Sequence, residues 1–233
     1  GHLQEEDARY ANRKQFSRHH PAEPLFTVED AWRALEQFEP HGFDESFSPV
    51  DDITASFSPA GHILGSACIR VCHGGKTIIF SGDVGRQKDP LMRAPTPLAD
   101  TDYLVLESTY GDRRHKDTDP IEELATVINA TLARGGIVLI PAFAVGRAQL
   151  LLYLIHELKK EKRIADVPVY LNSPMAISAT EVFHRHHNEH RLNAEQCRDI
   201  DAGTIYVRTV EEAIELTGRR LPAIIISASG MAS

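Results

Sequence analysis

Three short segments carry side chains able to bind a metal ion or move a proton. They are Gly61-His62-Ile63-Leu64-Gly65-Ser66, Ser81-Gly82-Asp83 and Glu107-Ser108-Thr109-Tyr110-Gly111. His62 and Asp83 lie 21 residues apart, and Asp83 and Glu107 lie 24 apart. Imidazole nitrogen and carboxylate oxygen are donors that zinc-like ions accept. Glycine beside a ligand lets the backbone turn sharply and approach the ion. The set suits a metal-dependent hydrolase. Taken singly, each residue has an ordinary reading: His62 as a turn histidine, Asp83 as a turn-forming Asp, Glu107 as a helix-capping acid. Their order and flanks favour chemistry.

Other polar groups are weaker candidates. Arg147 opens a predicted helix after Gly146, Ser173-Pro174 opens another, and Ser229-Gly230 has the same character. Helix N-termini with hydroxyl or guanidinium groups favour phosphate. Asp112-Arg113-Arg114-His115 reads equally as a solvated turn or as a substrate contact. His186-x-x-Glu189-His190 matches an inverted zincin pattern with both histidines on one helical face. Its nearly all-polar surroundings favour a solvated helix end, where the dipole also suits histidine. Lys159-Lys160-Glu161-Lys162-Arg163 reads as a solvated last helical turn.

The elements that must position these groups change character along the chain. Residues 3–15 predict a helix, and Thr27 with Asp30 predicts a capped second one that Pro40 and Gly42 end. Between 43 and 83 the period drops to two, with Gly74-Gly75 as a hairpin turn, which predicts antiparallel sheet. From Asp102 onward short apolar strands alternate with helices. Strands are expected at Tyr103–Leu106, Ile137–Ile140, Val167–Leu171, Thr204–Val207 and Ala223–Ser227. Helices are expected near 120–133, 146–160, 175–190 and 210–217. That alternation predicts a parallel, doubly wound sheet. The expected boundary divides 1–110 from 111–233.

With these segments in place, the chain resembles the metallo-β-lactamase superfamily in its β-CASP branch of nucleic-acid processing nucleases. Gly61-His62-Ile63-Leu64-Gly65 resembles the third metal motif of that family and Ser81-Gly82-Asp83 the fourth. Glu107-Ser108-Thr109-Tyr110-Gly111 resembles the acidic motif that opens the β-CASP region. The run Gly136 to Gln149 resembles its strand-loop-helix core, and Ile226 to Met231 a later strand edge.

The resemblance implies an α/β fold: the second half of an αββα metallo-β-lactamase domain, then a parallel-sheet β-CASP domain. It makes His62 a zinc ligand and Asp83 a ligand bridging two ions, with Asp83 and Glu107 catalytic. Glu107 would orient a later histidine or help protonate the leaving oxygen. Tyr110, Arg147, Ser173 and Ser229 would contact substrate. The family's main motif, His-x-His-x-Asp-His, is not among the 233 residues, so the resemblance implies an internal piece of a longer nuclease, inactive by itself. The implied partner is RNA, single-stranded, with a homo-oligomer open. A non-catalytic RNA-binding or scaffold member is the alternative. A nucleotide-binding domain is disfavoured, since no Gly-x-Gly-x-x-Gly or Walker A motif occurs.

Composition bounds these readings. With 42% apolar and 25% charged residues the chain can build an ordinary globular core. No apolar run approaches a membrane span. Cys68, Cys72 and Cys197 are an odd set. On one strand, Cys68 and Cys72 would sit about 13 Å apart, too far to bridge, which predicts a reducing, cytoplasmic setting. A net charge of −8 argues against broad coating of nucleic acid and for a site-confined contact where bound cations supply positive charge.

Overall fold

Thr27 and Asp30 form the expected capping box. Thr27 Oγ1 accepts the Asp30 N–H at 3.1 Å, and the Asp30 carboxylate accepts the Thr27 N–H at 3.0 Å. This starts α2 (Val28–Leu35), which follows α1 (His2–Lys14). The two helices belong to a compact unit, Gly1–Gly42, and the remainder, Phe43–Ser233, forms a second. The computed structural model describes residues 1–114 and 119–228. In the first unit Ala8 and Ala11 are buried, and Glu5 accepts the Val28 N–H at 2.9 Å.

The second unit holds two sheets. The first runs β1 (Ser46–Val50), β2 (Ile53–Pro59), β3 (Ala67–His73), β4 (Lys76–Phe80), β5 (Tyr103–Val105), in that spatial order. Neighbours are antiparallel until β5, which joins β4 in parallel. Gly74 and Gly75 turn the β3–β4 hairpin, both with positive φ, as a two-residue primed turn requires. β1 is not foreseen from periodicity. Its Pro49 cannot donate to a ladder, a loss tolerated because β1 is an edge strand.

The second sheet is wholly parallel, ordered β6 (Ile137–Ala142), β9 (Ala223–Ala228), β7 (Val169–Asn172), β8 (Thr204–Tyr206). Its helices are α3 (Pro120–Ala133), α4 (Arg147–Lys160), α5 (Pro174–Arg185), α6 (Ala194–Ala202) and α7 (Val210–Thr217). Ile128, Ile155, Leu158, Leu171, Ile177, Ile224 and Ile226 are fully buried and form the main core. Ile225 packs with Val207 and Leu216 in a separate cluster. Both faces of this sheet are therefore covered, as apolar parallel strands require.

The α/β class and the parallel sheet agree with the sequence reading, with two corrections. The helix expected near 175–190 stops at Arg185, followed by one 3₁₀ turn at His187–Glu189. The helix α6 was not expected, although Asn193 and Gln196 form a capping box that announces it. The two sheets lie either side of residue 110 in sequence, yet both belong to the unit that begins at Phe43. Among the described residues no helix is long and apolar enough to cross a membrane, and all three cysteines are free.

Candidate active site

The site is built at strand ends, from loops held by backbone contacts. After β2, Ala60 is buried and Gly61 takes φ 67°, in the left-handed region that glycine favours. The Ser66 hydroxyl accepts the N–H groups of His62 at 3.0 Å and Ile63 at 3.2 Å, fixing the turn. After β4, buried Ser81 leads into Gly82 and Asp83. The Gly85 N–H then donates to the Ala60 carbonyl at 2.8 Å. A Cβ on Gly85 would lie 1.9 Å from the Gly61 carbonyl oxygen, so the loops touch backbone to backbone. That contact brings His62 Nε2 to 3.9 Å from Asp83 Oδ2, with both side chains substantially open to solvent.

Glu107 follows β5 and is tied to the same loop. Its N–H donates to Ser81 Oγ at 3.0 Å. One carboxylate oxygen accepts the Val84 N–H at 2.6 Å and the other accepts the Thr109 hydroxyl at 2.7 Å. The Val84 N–H first, and then the Thr109 hydroxyl, hold this carboxyl below its ordinary range. Glu107 is ionised at neutral pH and anchors the residue next to Asp83.

These groups share a cleft of about 700 Å³ with Tyr110, Phe143 and Arg147. The opposite wall is the loop between β6 and α4. Gly146, at φ 78°, abuts Ile63: a Cβ there would lie 2.8 Å from Ile63 Cγ2. Gln149 is buried and ties the loop down. Its Oε1 accepts the Gly146 N–H at 2.7 Å, while Nε2 donates to the Ala144 carbonyl at 3.1 Å and to Thr180 Oγ1 at 2.8 Å.

A family model described as "Beta-Casp domain" matches residues 148–233. Ribonuclease TTHA0252 of Thermus thermophilus is 38% identical over 157 residues, covering 66% of this chain and 35% of that protein. An RNase J-like protein of Methanocaldococcus jannaschii is 34% identical over 215 residues, covering 88% of this chain and 49% of that one. The chain belongs to the β-CASP branch of the metallo-β-lactamase superfamily. A third relative is cleavage and polyadenylation specificity factor subunit 3-I of Arabidopsis thaliana, 35% identical over 162 residues, 68% of this chain and 23% of that protein. The chain spans half or less of the length of these relatives.

Of the sequence candidates, this β-CASP cleft gathers His62, Asp83, Glu107, Tyr110 and Arg147. Ser173 requires a correction. It is buried, its hydroxyl caps α5 by accepting the Ala176 N–H at 3.2 Å, and it does not line the cleft. Ser229 and His115 lie outside the described residues. Sequence reasoning assigned no role to Phe143, Gln149 or Gly85; the buried amide of Gln149, three residues after Gly146, had a signal in the capping-box spacing.

The second histidine pattern is structural. α5 has ended before His186, so His186 and His190 share no helical face. His190 is buried and stacks on Phe183 with ring centroids 3.7 Å apart. Its Nδ1 accepts the Leu192 N–H at 3.2 Å, so Nε2 carries the proton and donates to the Phe183 carbonyl at 2.9 Å. Both nitrogens are occupied, and burial holds its pKa below the usual value. Among the described residues no three metal-capable side chains come together. His62 and Asp83 fit half of a four-ligand zinc site by donor type and proximity.

Proposed function

We propose that the protein carrying this chain hydrolyses RNA phosphodiester bonds with the help of two zinc ions, and that His62 and Asp83 are ligands to them. The observation that carries this reading is the convergence of His62 and Asp83, 3.9 Å apart, in one cleft with Glu107. The relatives, two named as ribonucleases or ribonuclease-like and one as a cleavage and polyadenylation factor subunit, support the same class. Retention of both His62 and Asp83 favours an enzyme over a scaffold.

Each residue has a separate task. Asp83 would help hold the cations, its negative charge offsetting part of their mutual repulsion. His62 would supply a nitrogen donor. Glu107 fixes Val84 and with it the Asp83 loop; being ionised, it is a poor proton donor, so protonation of the leaving oxygen falls to another group. Arg147, exposed at the start of α4, suits a backbone phosphate. When bound, the ions would supply Lewis acidity toward the phosphate and an acidified water. Among the described residues only these two donors converge, so the 233-residue chain by itself is expected to bind zinc weakly.

The test uses the complete protein with labelled single-stranded RNA, first with chelator and then with Zn²⁺ restored. Asp83→Asn should abolish cleavage with the melting temperature unchanged, because the amide keeps the size but loses the charge between the cations. Near-normal cleavage by Asp83→Asn with a full metal complement would overturn the proposal.

A further inference from the structure

Among the described residues, Phe143 stands out in the cleft as a large aromatic residue left mostly exposed. It directly follows buried Ala142 at the carboxyl end of β6, yet the residue is 74% exposed. An aromatic ring left in water at a site wall forfeits the burial it would gain in a core. The loop that carries it is not slack. The Phe143 carbonyl accepts the Ala148 N–H at 3.1 Å, and Gln149 bonds both Ala144 and Gly146. Gly146 is wedged against Ile63 of the His62 loop. The ring is therefore presented from a pinned loop, on the wall of the cleft that holds His62 and Asp83.

Its neighbours define the ligand. Arg147, four residues on, brings a guanidinium to the same cleft, and Tyr110 adds a second exposed aromatic ring. A cation that suits phosphate beside aromatic faces is the combination by which proteins hold unpaired nucleotides: phosphate on the cation, base on the ring. Bases within a duplex are already stacked on each other and offer no free face.

Resting on the phosphodiesterase reading above, we propose that Phe143 is a specificity-determining residue that stacks an unpaired nucleobase beside the scissile phosphate. The stacking selects single strands over duplex, and it does so without preference for base, since every base has a π-face. Phe143 touches substrate and neither ion.

The experiment measures binding by the complete protein in chelator, where no cleavage occurs. The probe is a short single-stranded oligoribonucleotide carrying 2-aminopurine, read by fluorescence quenching and anisotropy. Phe143→Ala and Phe143→Leu should both weaken binding roughly tenfold and abolish quenching, since one stacked base contributes on the order of ten- to hundredfold in affinity. Phe143→Trp should restore both. Melting temperatures and zinc content should match the wild type. An oligonucleotide with an abasic position at the quenched site should bind wild type and Phe143→Leu alike.

Phe143→Leu with wild-type affinity and quenching overturns the proposal, because leucine keeps the apolar surface and removes the ring face. Failure of the wild type to bind the single strand more tightly than the same sequence as a duplex also overturns it. Either result leaves the phosphodiesterase reading intact if cleavage still depends on Asp83, so the two can fail separately.

Discussion

Both carboxylate oxygens of Glu107 are engaged by groups of the fold, one by a backbone N–H and one by a hydroxyl. The residue acts on Asp83 through Val84. Glu107→Gln retains one acceptor oxygen but places an NH₂ group against a donor it cannot bond. The expected result is zinc affinity weaker by roughly 10- to 100-fold, the scale on which groups supporting metal ligands act. Competition titration of the complete protein against a chromophoric chelator would measure it. Unchanged zinc affinity with lost cleavage would instead assign Glu107 to the substrate. At this scale the sequence singled out His62, Asp83 and Glu107, and the structure gathers all three in one cleft because polar groups at strand ends meet where the loops converge. It was a poor guide to Ser173 and Phe143. Ser-Pro at a helix start reads equally as a cap or a phosphate contact, and a phenylalanine after an apolar strand reads as core. Only solvent exposure separates those cases, and exposure depends on residues remote in sequence.

The two loops that carry the proposed metal donors are set by the approach of Gly85 to Gly61. An alanine at 85 would force its Cβ into the Gly61 carbonyl, which cannot swing aside as a side chain can. Gly85→Ala should therefore part the loops, destabilise the fold by about 1–3 kcal/mol as overpacking does, and weaken zinc binding beyond what the stability loss explains. Urea denaturation together with zinc titration would test this; wild-type values in both would show that the loops do not depend on the contact.

The junction between α5 and α6 carries a pH dependence. His190 is buried as the neutral imidazole, with its folded pKa below the ordinary value of 6.5. Burial is the main cause; the bond to the Phe183 carbonyl opposes it, and the nearby positive charge of His184, His187 and Arg93 reinforces it. As pH falls below about 6.5 the unfolded chain takes the proton first, so stability is full above that pH and declines toward the folded value. The melting temperature should drop across this acidic window, and His190→Gln should flatten that part of the curve. A wild-type curve no steeper than the variant's there would contradict the assignment. The sequence concealed this element because a histidine-rich run looks solvated, whereas its order comes from one ring stacked on Phe183.

Taken whole, the molecule places its candidate groups at the carboxyl ends of β2, β4, β5 and β6, strands drawn from two different sheets. Hydrophobic periodicity revealed the change from antiparallel to parallel architecture, since period two and alternating strand and helix are local signals. It did not reveal that both sheets share one unit or that a cleft opens between their strand ends. The wedge of Gly146 on Ile63, 83 positions away in sequence, carries that information, and no periodic pattern encodes it.

The outer edge of β5 has one further consequence. β5 ends the first sheet, and Tyr103, Leu104 and Val105 are each about half exposed or more. An uncovered strand presents a row of peptide groups that can template another strand, and apolar side chains on both faces remove the charge that usually blunts such an edge. In the 233-residue chain by itself, this edge is where strand-to-strand self-association would begin.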